Sequence, residues 1–249
     1  MDAVLAWVPT AIAVAALAAV ATGGLALFKV AHPLAVLGAI ARAVVQLTLL
    51  SLVLAGILKD PFWVAIGLAV MFVAAVFTAA RRAKAVRRDL AALAVAMLAG
   101  PSLVMIVVFA TGAIEFSPRY ALAIGGIVIG NTMTIAILTQ RIFRTTVFDH
   151  WDEVEGWLAL GATPRISTVQ QARAAIRTAL LPTIDQTRTT GIVVLPGAFV
   201  GAIFGGASPL EAGRFQIIVL ASILAAGVLT ATLLTRFIGA VAQKPLLVP

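Results

Sequence analysis

Long apolar runs separated by short polar stretches dominate the chain. A membrane-spanning helix needs about 20 mainly apolar residues to cross about 30 Å of hydrocarbon. The segments that meet this requirement are 4–28, 33–58, 61–80, 90–113, 120–140, 184–206 and 215–235. The pattern therefore predicts an all-α polytopic membrane protein with about seven transmembrane helices, built as a single membrane domain over residues 1–249.

The main polar stretch, residues 141–182, has a helical pattern of its own. Its first apolar residues recur at helical spacing and predict that span five continues beyond the bilayer: Val147, Trp151, Val154 and Leu158. Gly161 suits the position after a helix end, where φ is positive. Thr163 suits an N-cap and Pro164 the first residue of a second helix. We expect that helix to reach about Leu181, with Pro182 turning the chain back into the bilayer.

Residues 153–167, called the elbow below, are thus predicted to form a helix-turn-helix that projects beyond the membrane. Its short apolar turn is surrounded by charged residues. An exposed apolar patch with a charged rim is typical of a docking surface. The alternative is a turn that folds back on its own helices.

Composition and charge agree with this interpretation. The chain is 62% hydrophobic and 11% charged, with mean hydropathy +1.10, whereas soluble domains have about 25% charged residues. It contains no cysteine, which excludes disulfides and thiolate metal sites. Of its 18 Lys and Arg residues, 14 fall on the side of the elbow and three on the other. This bias predicts an N-terminus outside and a C-terminus and elbow in the cytoplasm. The basic run 81–88 is then an anchor at the lipid surface rather than a nucleic-acid site.

Several blocks of sequence resemble one transporter family. They are "GGIVIGNTMT" (125–134), "LALGATP" (158–164), "RTALLPTIDQTRTTGIVVLPGAFVGAIFGGASPLEA" (177–212) and "RFQIIVL" (214–220), with "ARAVVQLTLL" in span two. In this order they are similar to the small ABC-transporter permeases typified by the bacterial iron exporter FetB and its plant aluminium-tolerance relatives.

The resemblance implies a permease subunit in a bacterial inner membrane. Such permeases are expected to work as a homodimer with two cytosolic ABC ATP-binding subunits and to export iron or another small solute. The plant relatives suggest a nucleotide-sugar or other metabolite instead. Glu155 and Gly161 have the Glu-to-Gly spacing of the ATPase-contacting loop in ABC importers. In importers an Ile-x-Leu-Pro follows soon after that Gly, whereas here "LLP" ends much further on, at Pro182, which departs from an importer.

The resemblance gives the elbow the role of ATPase coupling. The residues concerned are Glu155, Trp157, Leu158, Leu160, Gly161, Ala162, Thr163 and Pro164. Independently, a P-loop needs Gly-Lys-Ser/Thr to hold phosphates and magnesium, and no lysine of this chain precedes Ser or Thr. We therefore expect no cofactor bound by this chain, with ATP and Mg used by the partner subunit. Two rival classes are a polytopic membrane enzyme, such as a lipid-phosphate hydrolase, and an assembly partner whose elbow binds another protein.

Polar groups inside the spans are candidates for the translocation path. Ionisable groups at mid-membrane cost about 2.5–3.5 kcal/mol or more, so they face a path or a partner. The candidates are Arg42, Gln46, Asn131, Thr132, Asp185 and Arg188. Arg42 has two interpretations: an anion-binding or gating contact in the path, or an ion pair with Asp185. Asn131 likewise suits an interhelical hydrogen bond or a cavity.

Glycines at four-residue spacing predict close helix packing or a hinge. Gly126 and Gly130 form one such face, and Gly197, Gly201 and Gly205 form another. Pro196 is expected to break span six near mid-membrane and to free backbone carbonyls that could line a pore. The cluster of Asp149, His150, Asp152 and Glu153 resembles a metal site, but one histidine among surface carboxylates is more often a solvated face. We predict no metal site.

Overall fold

The computed structural model describes residues 7–57, 60–85 and 89–245. The chain divides into two compact units, residues 1–58 and 59–249. The first unit contains two helices, α1 (Val8–Leu27) and α2 (Ala35–Ile57). Pro9 stands in the first turn of α1, where its missing N–H costs no hydrogen bond. Lys29 and His32 take positive φ in the short link to α2.

The second unit is built from eight further helices in its described part. They are α3 (Pro61–Arg82), α4 (Leu90–Ala110), α5 (Pro118–Asp149), α6 (Trp151–Ala159), α7 (Pro164–Ser167), α8 (Val169–Thr189), α9 (Gly197–Phe204) and α10 (Pro209–Ile238). The two longest, α5 and α10, pack on each other, and each also packs on α4 and α8. They are the centre of the unit, and the other helices surround them.

Small and aliphatic residues fill the interfaces between these helices. One buried cluster joins α3, α4, α5 and α10 and includes Ala79, Leu93, Met97, Ala136 and Leu234. A second, smaller cluster joins α5, α8 and α10 through Ile135, Leu180 and Ala231. Between membrane helices these contacts stabilise through van der Waals packing, because lipid is as apolar as the side chains.

The all-helical membrane fold is confirmed. Within the described residues, five helices are long and apolar enough to cross a bilayer, namely α1, α3, α4, α5 and α10, and α2 carries a shorter apolar stretch, Ala35–Ser51. These six helices coincide with predicted spans one to five and seven. The side of the membrane on which each end lies stays a prediction, as does the single domain over residues 1–249. Lys59, Arg87 and Arg88, which contribute to the charge bias, lie outside the described residues.

Predicted span six, 184–206, is broken as expected, but the expected position of the break, at Pro196, is wrong. The backbone leaves the α-helix after Thr189 and resumes it only at Gly197. Gly191 takes φ +85° between them. Pro196, which has no N–H, stands just before α9. The hydroxyls of Thr189 and Thr190 donate back to carbonyls of α8 and close its end.

The expected turn at Pro182 is also wrong. Pro182 lies inside α8, which begins at Val169 and continues seven residues beyond the proline. The second helix of the elbow is instead interrupted at Thr168, between α7 and α8. Its packed face explains why α8 tolerates the proline: Ala175 and Leu180 before it and Ile184 after it pack against α5 and α10.

Candidate functional site

The predicted continuation of span five into the first helix of the elbow is interrupted at His150, where α5 ends at Asp149 and α6 begins at Trp151. Its predicted apolar face is confirmed, because Val147 and Val154 are fully buried and Trp151 and Leu158 are half-buried. Val147 packs with Phe143 of α5 and Ala175 of α8. This buried face attaches α6 to α5 and α8, so the elbow is held through its inner side.

The turn of the elbow is a helix end of the Schellman type. Gly161 has φ +87°, as expected for the residue after a helix end. The Gly161 amide donates to the Leu158 carbonyl at 3.0 Å, and the Ala162 amide donates to the Trp157 carbonyl at 3.0 Å. This pair of bonds is the Schellman pattern and fixes the direction in which the chain leaves α6.

The second half of the turn also follows the prediction. Thr163 is the N-cap residue of α7 with extended backbone, and Pro164 is the first helical residue. The Thr163 side chain makes no capping hydrogen bond. The proline, with φ preset for a helix, therefore starts α7 without help from the threonine hydroxyl.

The tip of the elbow is apolar and open to solvent. The side chain of Leu160 is 82% exposed, Trp157 is 50% exposed and Ile166 is 59% exposed. Glu155 is exposed beside them, whereas Ala162 and Pro164 are half-buried. The alternative in which the turn folds back on its own helices does not hold for these three side chains. The sequence missed Ile166 as part of this tip.

The base of the elbow is joined to the last helix by a buried hydroxyl. Thr168, between α7 and α8, is 1% exposed. Its Oγ1 donates to the Gly239 carbonyl at 2.6 Å and lies 3.1 Å from the Pro164 carbonyl oxygen. Gly239 is the C-cap residue of α10. No pattern in the sequence signals this contact, because its partners are 71 positions apart.

A second cross-link at this end of the bundle is formed by Arg144 of α5. Its guanidinium donates to the Asp89 carboxylate at 2.9 Å and to the Lys84 carbonyl at 2.7 Å. It therefore ties the connection between α3 and α4 to the helix that leads into the elbow. Sequence reasoning had counted Arg144 only as one charge in the orientation bias.

Of the predicted path residues, two bond to their own helix. The Asn131 amide donates to the Ile127 carbonyl at 2.8 Å, and the Thr132 hydroxyl donates to Val128 and Ile129 carbonyls. In the first unit, Arg42 and Gln46 are exposed on α2. The pairing of Arg42 with Asp185 stays a prediction.

Asp185 has an ion-pair partner on its own helix. Its carboxylate lies 3.5 Å from the Arg188 guanidinium, one turn later on α8. The two side chains are 56% and 74% exposed. The structure therefore brings together two of the six predicted path residues, on the outward face of α8.

The depth of α8 in the bundle follows from two close helix contacts. Gly100, at the middle of α4, approaches α10 so closely that a Cβ on it would lie 2.6 Å from the Ala226 carbonyl oxygen. A Cβ on the adjacent Gly227 would lie 3.3 Å from the Leu180 side chain of α8. Leu180 is thus close to the level of the midpoint of α4, an apolar helix of 21 residues.

The Asp185–Arg188 pair lies within the length of the apolar helix α4, so Arg188 does not lie at the elbow end as the charge count assumed. The two residues follow Leu180 by five and eight positions, or about 8 and 12 Å along a helix. Half the length of α4 is about 16 Å on the same scale. A charged pair at this level does not face lipid, because its cost there is several kcal/mol. It requires water or a protein surface.

The interruption between α8 and α9 lies beside a cavity. This cavity of about 600 Å³ is lined by the end of α8, the irregular segment and α10, including Thr187, Thr190, Phe199, Gln216 and Ala221. Irregular backbone at membrane depth occurs where it is buried in protein or lines a cavity. Gln216 is buried, and its Oε1 has no partner within the described part of the chain.

The predicted glycine faces lie in different surroundings. A Cβ on Gly126 would lie 3.1 Å from Met71, which is a close approach, whereas Gly130 has open space around it. A Cβ on Gly125, which precedes Gly126 and which the sequence did not single out, would lie 2.7 Å from the Leu68 side chain. Gly197 and Gly201 on α9 have no atom within 4 Å of a built Cβ, and Gly205 contacts only carbonyls of α9. Their packing or hinge role stays a prediction.

The acidic cluster beside the elbow does not assemble as a metal site. Among the described residues, no group of three or more His, Asp or Glu side chains is placed to hold a metal ion. Asp149, Asp152 and Glu153 are exposed, and one ring nitrogen of His150 bonds to the Thr146 carbonyl. The Glu153 carboxylate accepts from Gln171 of α8 at 3.4 Å, so this face also braces the elbow.

The similarity carried by the sequence blocks around the elbow and the interrupted helix extends over most of the chain. The family described as "Uncharacterised protein family (UPF0014)" matches residues 8–241. The chain belongs to the UPF0014 family. The resemblance on which the expectations rested is thus confirmed, and the chain is a multi-pass membrane protein.

Relatives in the UPF0014 family come from plants and bacteria. UPF0014 membrane protein STAR2 of Oryza sativa subsp. japonica is 40% identical over 199 residues, which cover 79% of this chain and 70% of the relative. Protein ALUMINUM SENSITIVE 3 of Arabidopsis thaliana is 37% identical over 183 residues, covering 73% and 67%. Probable iron export permease protein FetB of Escherichia coli (strain K12) is 32% identical over 186 residues, covering 74% and 72%. No solved structure matches the chain.

Proposed function

We propose that this UPF0014 protein is the membrane permease subunit of an ATP-driven ABC transporter. In this proposal a separate cytosolic ATP-binding subunit docks on the elbow and supplies the energy. The observation that carries the proposal is the apolar tip of the elbow, with Leu160, Trp157 and Ile166 open to solvent on a well-anchored turn. It agrees with the lack of a P-loop sequence in this chain.

The tip has the properties of an anchor for a partner. Leu160 and Trp157 are neighbours of the Schellman turn, whose backbone bonds limit their freedom before binding. Preorganisation of this kind lowers the entropy cost of docking. Burial of a large apolar side chain in a partner contributes about 1.5–3 kcal/mol, so the tip alone accounts for a substantial part of the affinity.

The docking role is tested by Leu160→Asp, compared with Leu210→Asp as a matched control. Leu210 is 85% exposed at the start of α10, at the opposite end of that helix from the elbow base. We expect Leu160→Asp to weaken binding of the ATP-binding subunit by at least about tenfold and Leu210→Asp to leave it unchanged. The measurement is binding of the purified subunit to permease in lipid nanodiscs. Equal affinities of both variants and the wild type would refute the proposal.

The proposed path runs along the outward face of α8. In this proposal the Asp185–Arg188 pair on this face lies in the bilayer and requires water or protein around it. Two permease copies that meet around their α8 faces would satisfy this requirement and enclose the path. The same arrangement accounts for open space beside Gly197 and Gly201 on the following helix, since small residues allow close helix approach.

The dimer is tested by cysteine cross-linking, for which the chain has no native cysteine to remove. Thr189→Cys places a thiol at the exposed end of α8, and Thr232→Cys is a control on an exposed face of α10. We expect oxidation in membranes to give a covalent dimer with Thr189→Cys and little with Thr232→Cys. Equal yields at both positions would contradict the dimer face.

For the cargo, we propose export of iron or another small solute. The support is similarity to the relative named as a probable iron export permease. Cells with and without the gene should then differ in iron content, measured by mass spectrometry, and a Leu160→Asp strain should match the deletion. If iron is unchanged while a nucleotide-sugar or other metabolite accumulates, the alternative cargo is supported and iron is refuted.

A further inference from the structure

The C-terminal end of α10 is embedded in the base of the elbow. Ile238 and Val241 pack against the buried cluster that joins α5 and α8, close to Trp151 of α6. Beyond them, the Lys244 ammonium lies 4.6 Å from the centre of the Phe148 ring. The elbow and the last helix therefore meet at a packed junction, which is separate from the exposed tip.

At this junction the Thr168 hydroxyl is the polar link between the two elements. A single hydroxyl hydrogen serves one acceptor at a time, and the 2.6 Å distance identifies the Gly239 carbonyl as the principal acceptor. Thr168 is the N-cap residue of α8, yet its side chain makes no capping bond to that helix. Its bonding capacity is directed to the end of α10 instead. A threonine that served only α8 would cap it.

Helix α10 connects this junction to the cavity. It has 30 residues, or about 45 Å at 1.5 Å per residue. Its N-terminal half contributes Gln216, Ala221 and Leu224 to the cavity wall. A displacement at its C-terminal end is carried along the helix, because a packed helix moves as a rigid element.

We propose that Thr168 is a coupling residue that transmits movement of the elbow to α10 and so to the cavity wall. This inference rests on the proposed function, since it requires an ATP-binding subunit that moves the elbow. The Thr168 hydroxyl bonds to Gly239 and Pro164 rather than to the exposed side chains of the tip, and Thr168 does not line the cavity. It acts by positioning the end of α10 relative to α7 and α8.

The test measures access to the cavity wall in the complex with the ATP-binding subunit. Ala221→Cys introduces one thiol on the α10 wall, in a chain that has no other cysteine. The rate at which a water-soluble maleimide labels this thiol is measured with and without ATP in nanodiscs. We expect ATP to change the rate by about fivefold or more, the lower end of typical coupling between sites.

Removal of the hydroxyl should abolish this response without abolishing docking. In the Ala221→Cys background, Thr168→Val keeps the shape of the side chain and Thr168→Ala removes the same hydroxyl with less bulk. We expect both to bind the ATP-binding subunit as the wild type does and to lose the ATP-dependent change in labelling. Thr168→Ser keeps the hydroxyl and should restore it, which a loss of packing alone would not predict.

The outcomes separate the two proposals. If the wild-type chain does not bind the ATP-binding subunit, the proposed function is refuted. If it binds, but ATP leaves labelling at position 221 unchanged, or Thr168→Val and Thr168→Ala respond as the wild type does, only the coupling role is refuted. Loss of subunit binding in both hydroxyl-free variants would also refute it, because Thr168 would then act in docking.

Discussion

Replacement of Gly161 by alanine should loosen the turn of the elbow by a calculable amount. Gly161 has φ +87°, and a Cβ built on it meets no atom within 4 Å. The cost is therefore backbone strain alone, about 1–2 kcal/mol for an L-residue in a left-handed conformation. The reduced freedom of the unfolded chain offsets about 0.4–1 kcal/mol of this. A net loss of about 1 kcal/mol remains, which corresponds to about fivefold in an equilibrium constant.

The assay is hydrogen exchange of the two amides that form the turn. Gly161 and Ala162 donate to the carbonyls of α6, so their exchange requires the turn to open. In Gly161→Ala we expect exchange at positions 161 and 162 to become about fivefold faster. Gly156→Ala is the matched control, because Gly156 lies inside α6 with open space around it. Alanine there should stabilise the helix by about 0.5–1 kcal/mol.

This comparison can refute the explanation of the elbow. If Gly161→Ala leaves exchange at the turn unchanged, or if Gly156→Ala accelerates it equally, the positive φ does not determine the stability of the bend. A further variant, Gly161→Pro, fixes φ near −65° and removes the amide that bonds to Leu158. It should abolish the bend and, with it, docking of the ATP-binding subunit.

Two further predictions concern contacts outside the elbow. Arg144→Met breaks the ion pair with Asp89 and should destabilise the chain by about 1–3 kcal/mol, measured by thermal unfolding in detergent. Arg141→Met, on an exposed part of the same helix, should change the stability little. Equal effects of the two variants would contradict a stabilising cross-link by Arg144. Gly100→Ala forces α4 away from α10 and should lower the free energy of unfolding by about 1–3 kcal/mol. Gly130→Ala, whose Cβ would meet no neighbour, should be neutral or stabilising. A Gly100→Ala variant as stable as the wild type would contradict the close contact.

Local chemistry explains why the elbow was predictable from sequence. Gly161, Thr163 and Pro164 each have a strong preference for one position at a helix end, and the three preferences agree. The apolar spacing from Val147 to Leu158 gave the buried face for the same reason, since one helical period determines it. The spans were predictable because the length of an apolar run is a local property.

Contacts between distant segments were not predictable in this way. The bond from Thr168 to Gly239 and the clamp from Arg144 to Asp89 depend on how helices pack. The closest helix glycines, Gly100 and Gly227, are isolated in sequence and do not form a repeated motif, whereas Gly130, which does, meets no neighbour. Four-residue glycine spacing therefore identified candidates for close packing but did not rank them.

The misplaced break in span six has a physical cause that also bears on function. Hydropathy measures whether a segment suits the bilayer, and residues 190–206 are apolar enough to pass. Neither hydropathy nor the proline signal at Pro196 detects that Gly191 at positive φ and two threonine hydroxyls end α8 at Thr189, within the predicted span. A broken helix exposes backbone groups that need partners there. The break lies beside the cavity and one residue after Arg188. The same segment therefore places polar backbone groups and a charged pair close together. The proposed path therefore depends on the interruption of this helix as much as on its charged side chains.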